Sequence, residues 1–486
     1  MTVERAAVAG LWSTIDIVSR QVVQFIVTVI LARLLLPEDF GVVALLTFFS
    51  GLSLVFIQGG LSTALIQSTE TTKEEESAVF WWNLSASLVF GTLLLLLSRP
   101  VADFYGYPVL RPLMFVAAAQ VVLSACGAVQ TALLSRALRF ADLAKAGLLA
   151  TLLSGIAAVG AAAWGAGVWA LAIQILTFAT VNSALLWVVS DWRPVRHWRI
   201  ATIRPLAGFG WWLSLSSMLE VLYTQGFALI VGKLHGARDL GFYNRGASTQ
   251  FLASAVLSGV LGRVALPLFS ARAAEPEALK RGLRMAIGLA MLINLPMMTG
   301  MALLSDLLIT VLFGKAWLPA SPILAILAWG GVIFPLHVLN LQIILAQGRA
   351  RTYFRIEIIK KVIGVACVLF GSFFGIFGLA YAQLTVAVLA LFVNVEPVRR
   401  SLGYGVIRQL GDCGGTIVVT AVMAGAILLL RPLLHFAPAA NLAILVAVGS
   451  TIYAGVGLAF RVRSFVEATR VAKILLRGGR PIDALA

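Results

Sequence analysis

Charged residues are scarce in this chain. Only 12% of its 486 residues are Asp, Glu, Lys or Arg, 60% are hydrophobic, and the mean hydropathy is +0.96. That balance excludes a soluble globular protein, a disordered chain and a fibre. Cysteine is nearly absent: Cys126, Cys367 and Cys413 are scattered, mostly within apolar stretches, with neither metal-ligand spacing nor a disulfide framework. His197, His235, His337 and His435 stand far apart with no Glu-x-x-His near them, so no metal site is expected. The chain also lacks a phosphate-binding loop. Gly232-Lys233 and Gly314-Lys315 miss both the first glycine and the following Ser or Thr of that motif, which argues against direct ATP drive. No nucleophilic triad is suggested, so bond-making chemistry is not expected. No aromatic-basic RNA motif or DNA-reading helix stands out. The net charge of +16 is therefore read as loop charge that orients a membrane protein, not as nucleic-acid affinity. No cleavable leader is expected either. Met1 to Ala9 runs into a long apolar span without a convincing small-residue cleavage site, and that span is expected to act as an uncleaved insertion signal.

What is present is apolar sequence in runs of roughly 20 residues, each long enough to cross the ~30 Å hydrocarbon core. The runs are continuous rather than alternating, so they read as helices and not barrel strands. Fourteen spans are expected, at approximately 8–32, 41–66, 78–98, 112–134, 146–164, 168–189, 207–232, 245–270, 285–304, 322–345, 355–374, 378–396, 413–431 and 441–460. The fold class is an all-α polytopic membrane protein with about 14 transmembrane helices.

An even number of spans puts both ends on one side. With the N-terminus inside, inner loops and tails hold about 25 of the 37 Lys and Arg residues and outer loops about eight. That asymmetry is what the positive-inside rule expects, so both termini are expected in the cytoplasm. Arg193, Arg196, Arg199 and Arg204 form a basic tract at 191–206, and the tail at 461–486 adds Arg461, Arg463, Arg470, Lys473, Arg477 and Arg480. The acidic inner loop from Glu70 to Glu76 does not oppose this, because carboxylates contribute little to orientation.

The first loop returns, weakened, 200 residues later. Ala32-Arg33-Leu34 to Asp39-Phe40-Gly41 is echoed by Gly232-Lys233-Leu234 to Asp239-Leu240-Gly241, and Gly10 and Trp12 by Gly210 and Trp212. The short turns Gly165-Ala166-Gly167 and Gly375-Ile376-Phe377-Gly378 fall at equivalent places. Six spans make one unit, so the repeat is parallel. The expected organisation is an N-lobe at 1–190 (spans 1–6), the basic linker at 191–206, a C-lobe at 207–400 (spans 7–12), an appended helix pair at 401–460 and the basic tail. A membrane protein of two like halves is most often a transporter.

Charges inside spans are the informative exceptions, since each costs roughly 2.5–3.5 kcal/mol at a span centre. Span 1 carries Asp16 and Arg20, with Gln24 a turn further on. The pair is four apart and either neutralises itself in packing or faces a cavity. Arg263 in span 8 has no acid nearby in sequence; it either serves a site or snorkels to the inner surface. Glu220 in span 7 is a candidate partner for it. Spans 10 and 11 add His337, Asn340, Glu357, Lys360 and Lys361, the lysines close enough to the inner surface to snorkel. Pro296 and Pro335 are expected to kink their spans. Asp16, Glu220 and Glu357 are the candidates for proton or sodium coupling. Arg20, Arg263, Lys360 and Lys361 outnumber those three acids by one charge, which favours an anionic ligand such as a phosphate.

The segment Ala-Arg-Leu-Leu-Leu-Pro-Glu-Asp-Phe-Gly at 32–41 resembles the first-loop signature of the Wzx-type polysaccharide-transport flippases. Leu240-Gly241-Phe242-Tyr243-Asn244-Arg245 resembles their span 8 entry, in the branch similar to the colanic acid exporter, and Gly167-Val168-Trp169-Ala170-Leu171 resembles their span 6 start. The likeness covers roughly residues 5–400. It implies the fold of the multidrug/oligosaccharidyl-lipid/polysaccharide exporters, with two six-helix lobes around a central cavity open alternately to each side. It further implies a bacterial inner-membrane protein that moves a glycan on undecaprenyl pyrophosphate to the periplasmic leaflet for surface polysaccharide assembly. Membrane lipids, and glycosyltransferases or a polysaccharide polymerase, are the partners it implies. Related peptidoglycan-precursor flippases carry cavity arginines on spans 1, 2 and 8. Arg20 and Arg263 match the first and third, whereas span 2 has Gln58 and no arginine. An ion-coupled drug or metabolite antiporter of the same fold is the alternative; Asp16 and Glu220 suit it, while Arg20 and Arg263 oppose it. A non-transporting scaffold for glycan assembly would be indifferent to those arginines.

Overall fold

The computed structural model describes residues 3–68, 71–196, 200–273 and 275–476. Among them every regular element is helical. The chain divides into two compact units, 1–241 and 242–486.

The first unit contains α1 (Val3–Leu34), α2 (Pro37–Leu54), α3 (Leu61–Gln67), α4 (Lys73–Tyr105), α5 (Leu110–Arg136), α6 (Phe140–Ala163), α7 (Val168–Val189) and α8 (Ile200–Leu234). The last helix begins within the expected basic linker and packs on α2, α3 and α4. The first turn of α9 (Gly236–Ser270) also belongs here. The signature loop between α1 and α2 is short because its residues are built for it. Pro37 starts α2 with φ already set, and the Asp39 carboxylate accepts the Leu36 amide at 3.0 Å.

Expected span 2 is one continuous run in the sequence, but the chain breaks it. A π-helical segment, Val55–Gly59, separates α2 from α3. Backbone groups freed at membrane depth need partners. Ser62 Oγ donates to the Ile57 carbonyl at 3.1 Å, and Asn83 Nδ2 of α4 donates to Ser62 Oγ at 3.0 Å. One polar relay thus supports the break from two helices.

On the inner side of this unit, by the expected orientation, Glu76 at the start of α4 is buried and Arg136 at the end of α5 reaches it at 2.9 Å, with Thr71 completing the group. The one acidic loop of the chain therefore supplies a structural ion pair.

The second unit continues α9 and adds α10 (Pro276–Leu303), α11 (Ser305–Phe313), α12 (Ser321–Gly331), α13 (Phe334–Ala346), α14 (Ala350–Ser372), α15 (Gly375–Leu402), α16 (Val406–Asp412), α17 (Gly414–Leu430), α18 (Pro438–Ala459) and α19 (Arg463–Leu476). A core of this unit gathers α10, α13, α15 and Cys413. The glycine turns aligned in the sequence close the α6–α7 and α14–α15 hairpins, one in each unit.

The two prolines behave differently. Pro335 lies at the start of α13, after a break that divides expected span 10 into α12 and α13. Pro296 sits inside an unbroken α10. Each proline removes the amide that would bond the carbonyl four residues back. Both orphaned carbonyls are met by polar side chains: Asn294 Nδ2 donates to Gly331 O at 2.9 Å, and the Tyr453 hydroxyl donates to Leu292 O at 2.7 Å.

Eleven helices among the described residues are long and apolar enough to cross a membrane, against the fourteen spans expected. The other three positions hold α1, α9 and α14. The side chains of 1–17 and of 255–264 lie outside the described residues, which shortens what α1 and α9 offer. α14 carries Arg351, Arg355, Glu357, Lys360 and Lys361 in its first half, more charge than the apolar spans tolerate.

Candidate functional site

In the first unit Arg20 leans across α6. A β-carbon on Gly147 would lie 2.8 Å from Arg20 Nη1, so the guanidinium occupies space that the glycine leaves open. The same two helices meet again where Val27 fills the gap at Gly155, and the contact runs on to Leu31, Ala158 and Ala162. A stripe of small residues on α6 is what lets α1 come this close. Gln24 lies one turn beyond Arg20 and is exposed. Val18, Val22, Ile26 and Ile30 form the opposite, exposed apolar face, so Arg20 and Gln24 share the side of α1 turned away from it. Asp16 and Gln58 have side chains outside the described residues.

Glu220 sits exposed on α8, and its carbonyl accepts the Thr224 hydroxyl at 2.8 Å. One residue further, Gln225 has a buried side-chain oxygen without a hydrogen-bond partner. Gln225 does not stand out in the sequence, because an uncharged amide costs less in a span than a carboxylate. Arg263, the proposed partner of Glu220, has its side chain outside the described residues.

In the second unit three helices bring four polar side chains together. Lys360 and Glu357 of α14 form an ion pair at 2.6 Å, with 17% and 30% of their side chains exposed. α14 packs against both α13, which carries His337, and α15. His337 Nδ1 meets Asn394 Nδ2 of α15 at 2.9 Å, while the Asn394 oxygen is buried without a partner. Three of these residues were legible as charges or an imidazole inside spans. Asn394 was missed, because an uncharged amide that shares its span with Gln383 does not stand out in the sequence.

Asn340 is engaged elsewhere. It and Gln409 of α16 exchange two hydrogen bonds of 2.9 Å, and its other amide proton goes to Leu336 O at 2.7 Å. Both of its donors are thus committed, and the pair pins α16 to α13. Beside it, the Tyr404 hydroxyl donates to Asp412 at 2.8 Å, and Asp412 also pairs with Arg284 of α10. Burial, with the neighbouring Asp412 carboxylate, pushes the Tyr404 phenol above its ordinary range. Lys361 is half-buried on α14.

Eleven long apolar helices, packed with an α1 that carries Arg20 and an α14 that carries the Lys360–Glu357 pair, make this a polytopic membrane protein, and ionisable groups kept among such helices are characteristic of transporters. The profile described as "Polysaccharide biosynthesis protein" matches residues 30–322, more than half the chain, and the chain belongs to that family. A second profile, "Lipid II flippase MurJ", matches residues 241–447. Among curated relatives, the lipopolysaccharide biosynthesis protein WzxC of Escherichia coli (strain K12) is 24% identical over 82% of each chain. The succinoglycan biosynthesis transport protein ExoT of Rhizobium meliloti (strain 1021) is 27% identical over 75% of this chain and 74% of its own. The teichuronic acid biosynthesis protein TuaB of Bacillus subtilis (strain 168) is 25% identical over 70% and 71%. Of solved structures, the lipid II flippase MurJ in an inward closed conformation aligns with a TM-score of 0.74, at 15% identity over 93% of this chain and 99% of its own. An inward-facing multidrug resistance transporter of the MATE family aligns at 0.61, with 15% identity over 79% and 98%. At such identities these two establish the fold alone.

Proposed function

We propose that this chain is a flippase that carries an oligosaccharide linked to undecaprenyl pyrophosphate from the cytoplasmic to the periplasmic leaflet, by alternating access, for surface polysaccharide assembly. The family of the chain and its relatives in lipopolysaccharide, succinoglycan and teichuronic acid biosynthesis support the substrate class. The observation that carries the reading is that the first span holds an arginine seated against Gly147. A pyrophosphate-sugar head cannot cross hydrocarbon unaided, because its hydration has to be replaced. A guanidinium replaces it with paired hydrogen bonds to phosphate oxygens.

In this reading Arg20 binds the pyrophosphate and Gln24 the adjoining polar head. Asp16, Gln58, Glu220, Arg263 and Lys361 join the polar path, and Asp16, Glu220 and Glu357 are the carboxylates open to ion coupling. His337 and Lys360 contribute a second polar station, while Asn340 acts through its pairing with Gln409. Both termini lie in the cytoplasm, on the side where the arginine-rich loops cluster. Glycosyltransferases or a polymerase supply and consume the lipid-linked glycan. The chain itself performs no covalent chemistry. The experiment is leaflet-specific labelling of lipid-linked glycan in spheroplasts of a strain lacking this protein. Glycan reachable only after permeabilisation, cleared by restoring the gene, is the expected result; unchanged sidedness in an active pathway overturns the reading.

A further inference from the structure

A second basic feature lies at one end of the second unit, on the same helices as Glu357, Lys360 and Asn394 but lined by none of these three side chains. The first three turns of α14, the last three of α15 and the segment from Gly403 to Arg408 enclose a cleft of about 1190 Å³. Arg349, Arg355, Arg399, Arg400 and Arg408 line it against one carboxylate, Glu396.

The arginines are arranged, not merely crowded. Glu396 accepts Arg399 at 2.6 and 2.8 Å and Arg400 at 2.7 Å, fixing both side chains while cancelling one of their charges. Arg408 is held from the other side by the Gly403 carbonyl at 2.7 Å. Its helix, α16, is itself anchored through Gln409 and Asp412. Arg349 and Arg355 are exposed and have no carboxylate partner among the described residues. They flank the N-terminal end of α14, whose unpaired amides add further positive potential.

The wall between the arginines is apolar. Ile359 and Phe392 are 47% and 57% exposed within it, and Ile407 at its mouth is 88% exposed. From Arg349 to Ile359 the cleft runs about 15 Å along the helix axis at 1.5 Å per residue. The headgroup zone of a bilayer leaflet is only about 6 Å deep. The cleft therefore reaches from the headgroup level into the hydrocarbon, with cations at the rim and apolar side chains below. A free phosphate would satisfy the rim and leave the slot empty.

We propose that this cleft binds an anionic phospholipid of the cytoplasmic leaflet, its phosphate held by Arg349, Arg355 and Arg408 and its upper acyl chain lying along Ile359 and Phe392. Basic pockets between helices on the cytoplasmic side suit such headgroups. The inference goes beyond the transport reading and needs only that this arginine-rich end lies at the inner membrane surface.

The test uses the full chain in phosphatidylcholine nanodiscs doped with photoactivatable phosphatidylglycerol, with crosslinks mapped by peptide mass spectrometry. Crosslinks are expected in 349–359 and 392–408. Labelling there should fall about tenfold or more in Arg349→Gln/Arg355→Gln and with rising salt, and stay unchanged in Arg99→Gln/Arg111→Gln. Should the double variant fail to fold, the wild-type crosslink map decides. Crosslinks elsewhere, or full labelling of a folded double variant, overturn the proposal. Competition by millimolar inorganic phosphate or glycerol phosphate would assign the cleft to a soluble phosphate and overturn it as well. Transport is not read in this experiment, so its outcome is independent of the flippase reading.

Discussion

Gly41 and Gly241 occupy matching places in the two halves of the repeat, and each makes room for the backbone beside the other. A β-carbon on Gly41 would lie 1.7 Å from the Ala237 carbonyl oxygen, and one on Gly241 would lie 2.0 Å from that of Pro37. The opening turns of α2 and α9 therefore cross backbone to backbone. These are the glycines that close the two copies of the loop signature, so the motif that reveals the repeat also builds this contact. Replacing either by alanine drives a methyl group into a carbonyl that cannot swing aside. The expected cost is at least about 3 kcal/mol, at or above the usual range for overpacking. Thermal unfolding of the detergent-solubilised variants measures it; unaltered melting of Gly41→Ala would contradict the crossing.

The seat of Arg20 should be separable from the stability of α6. Gly147→Val fills the space of the guanidinium and is expected to abolish glycan transport while the protein still inserts. Gly160, on the same helix, has open space where its β-carbon would be. Gly160→Ala should therefore transport normally and gain up to about 1 kcal/mol from helix propensity. Transport assays on the two variants at matched expression check this contrast, and equal activity would remove Gly147 from the site.

The Glu76–Arg136 pair makes a stability prediction. Glu76 is almost wholly buried, with 8% of its side chain exposed. Arg136→Ala leaves that carboxylate without its main partner and is expected to cost about 2 kcal/mol, reduced from the fully buried case because Arg136 is partly solvated. Glu76→Gln combined with Arg136→Ala should recover part of the loss. A double-mutant cycle by chemical unfolding reads the coupling, and strictly additive losses would show that the pair contributes nothing.

The proline carbonyls give a sharper cycle. Tyr453→Phe removes the donor to Leu292 O and is expected to cost about 1 kcal/mol. In a Pro296→Ala background, residue 296 regains an amide aimed at the same carbonyl. There Tyr453→Phe should cost much less. Identical losses in both backgrounds would mean that the hydroxyl does not serve the orphaned carbonyl.

Much of this fold was legible as hydropathy. Each expected span coincides with a helix or a broken pair of helices, because roughly 20 apolar residues have few other options in lipid. The break between α12 and α13 was announced by Pro335, whereas that at Val55–Gly59 was not legible, and what stabilises both comes from Asn83 and Asn294 on other helices. Of the polar residues, Lys360, Glu357 and His337 stood out by the cost of their burial. That logic could not foresee the commitment of Asn340 to Gln409, 69 positions away. Nor could it weigh Gln225 and Asn394, whose amides stand out only once their buried oxygens are seen to lack partners.

The central claim is that a guanidinium within the first span handles the pyrophosphate. The most direct measurement is the sidedness of lipid-linked glycan in spheroplasts lacking the chromosomal copy and expressing wild type, Arg20→Lys or Arg20→Gln at equal membrane levels. Wild type should clear the inner-leaflet pool, Arg20→Lys should clear it more slowly because it keeps charge without the paired donors, and Arg20→Gln should leave it in place. Clearance by Arg20→Gln at the wild-type rate would contradict the account.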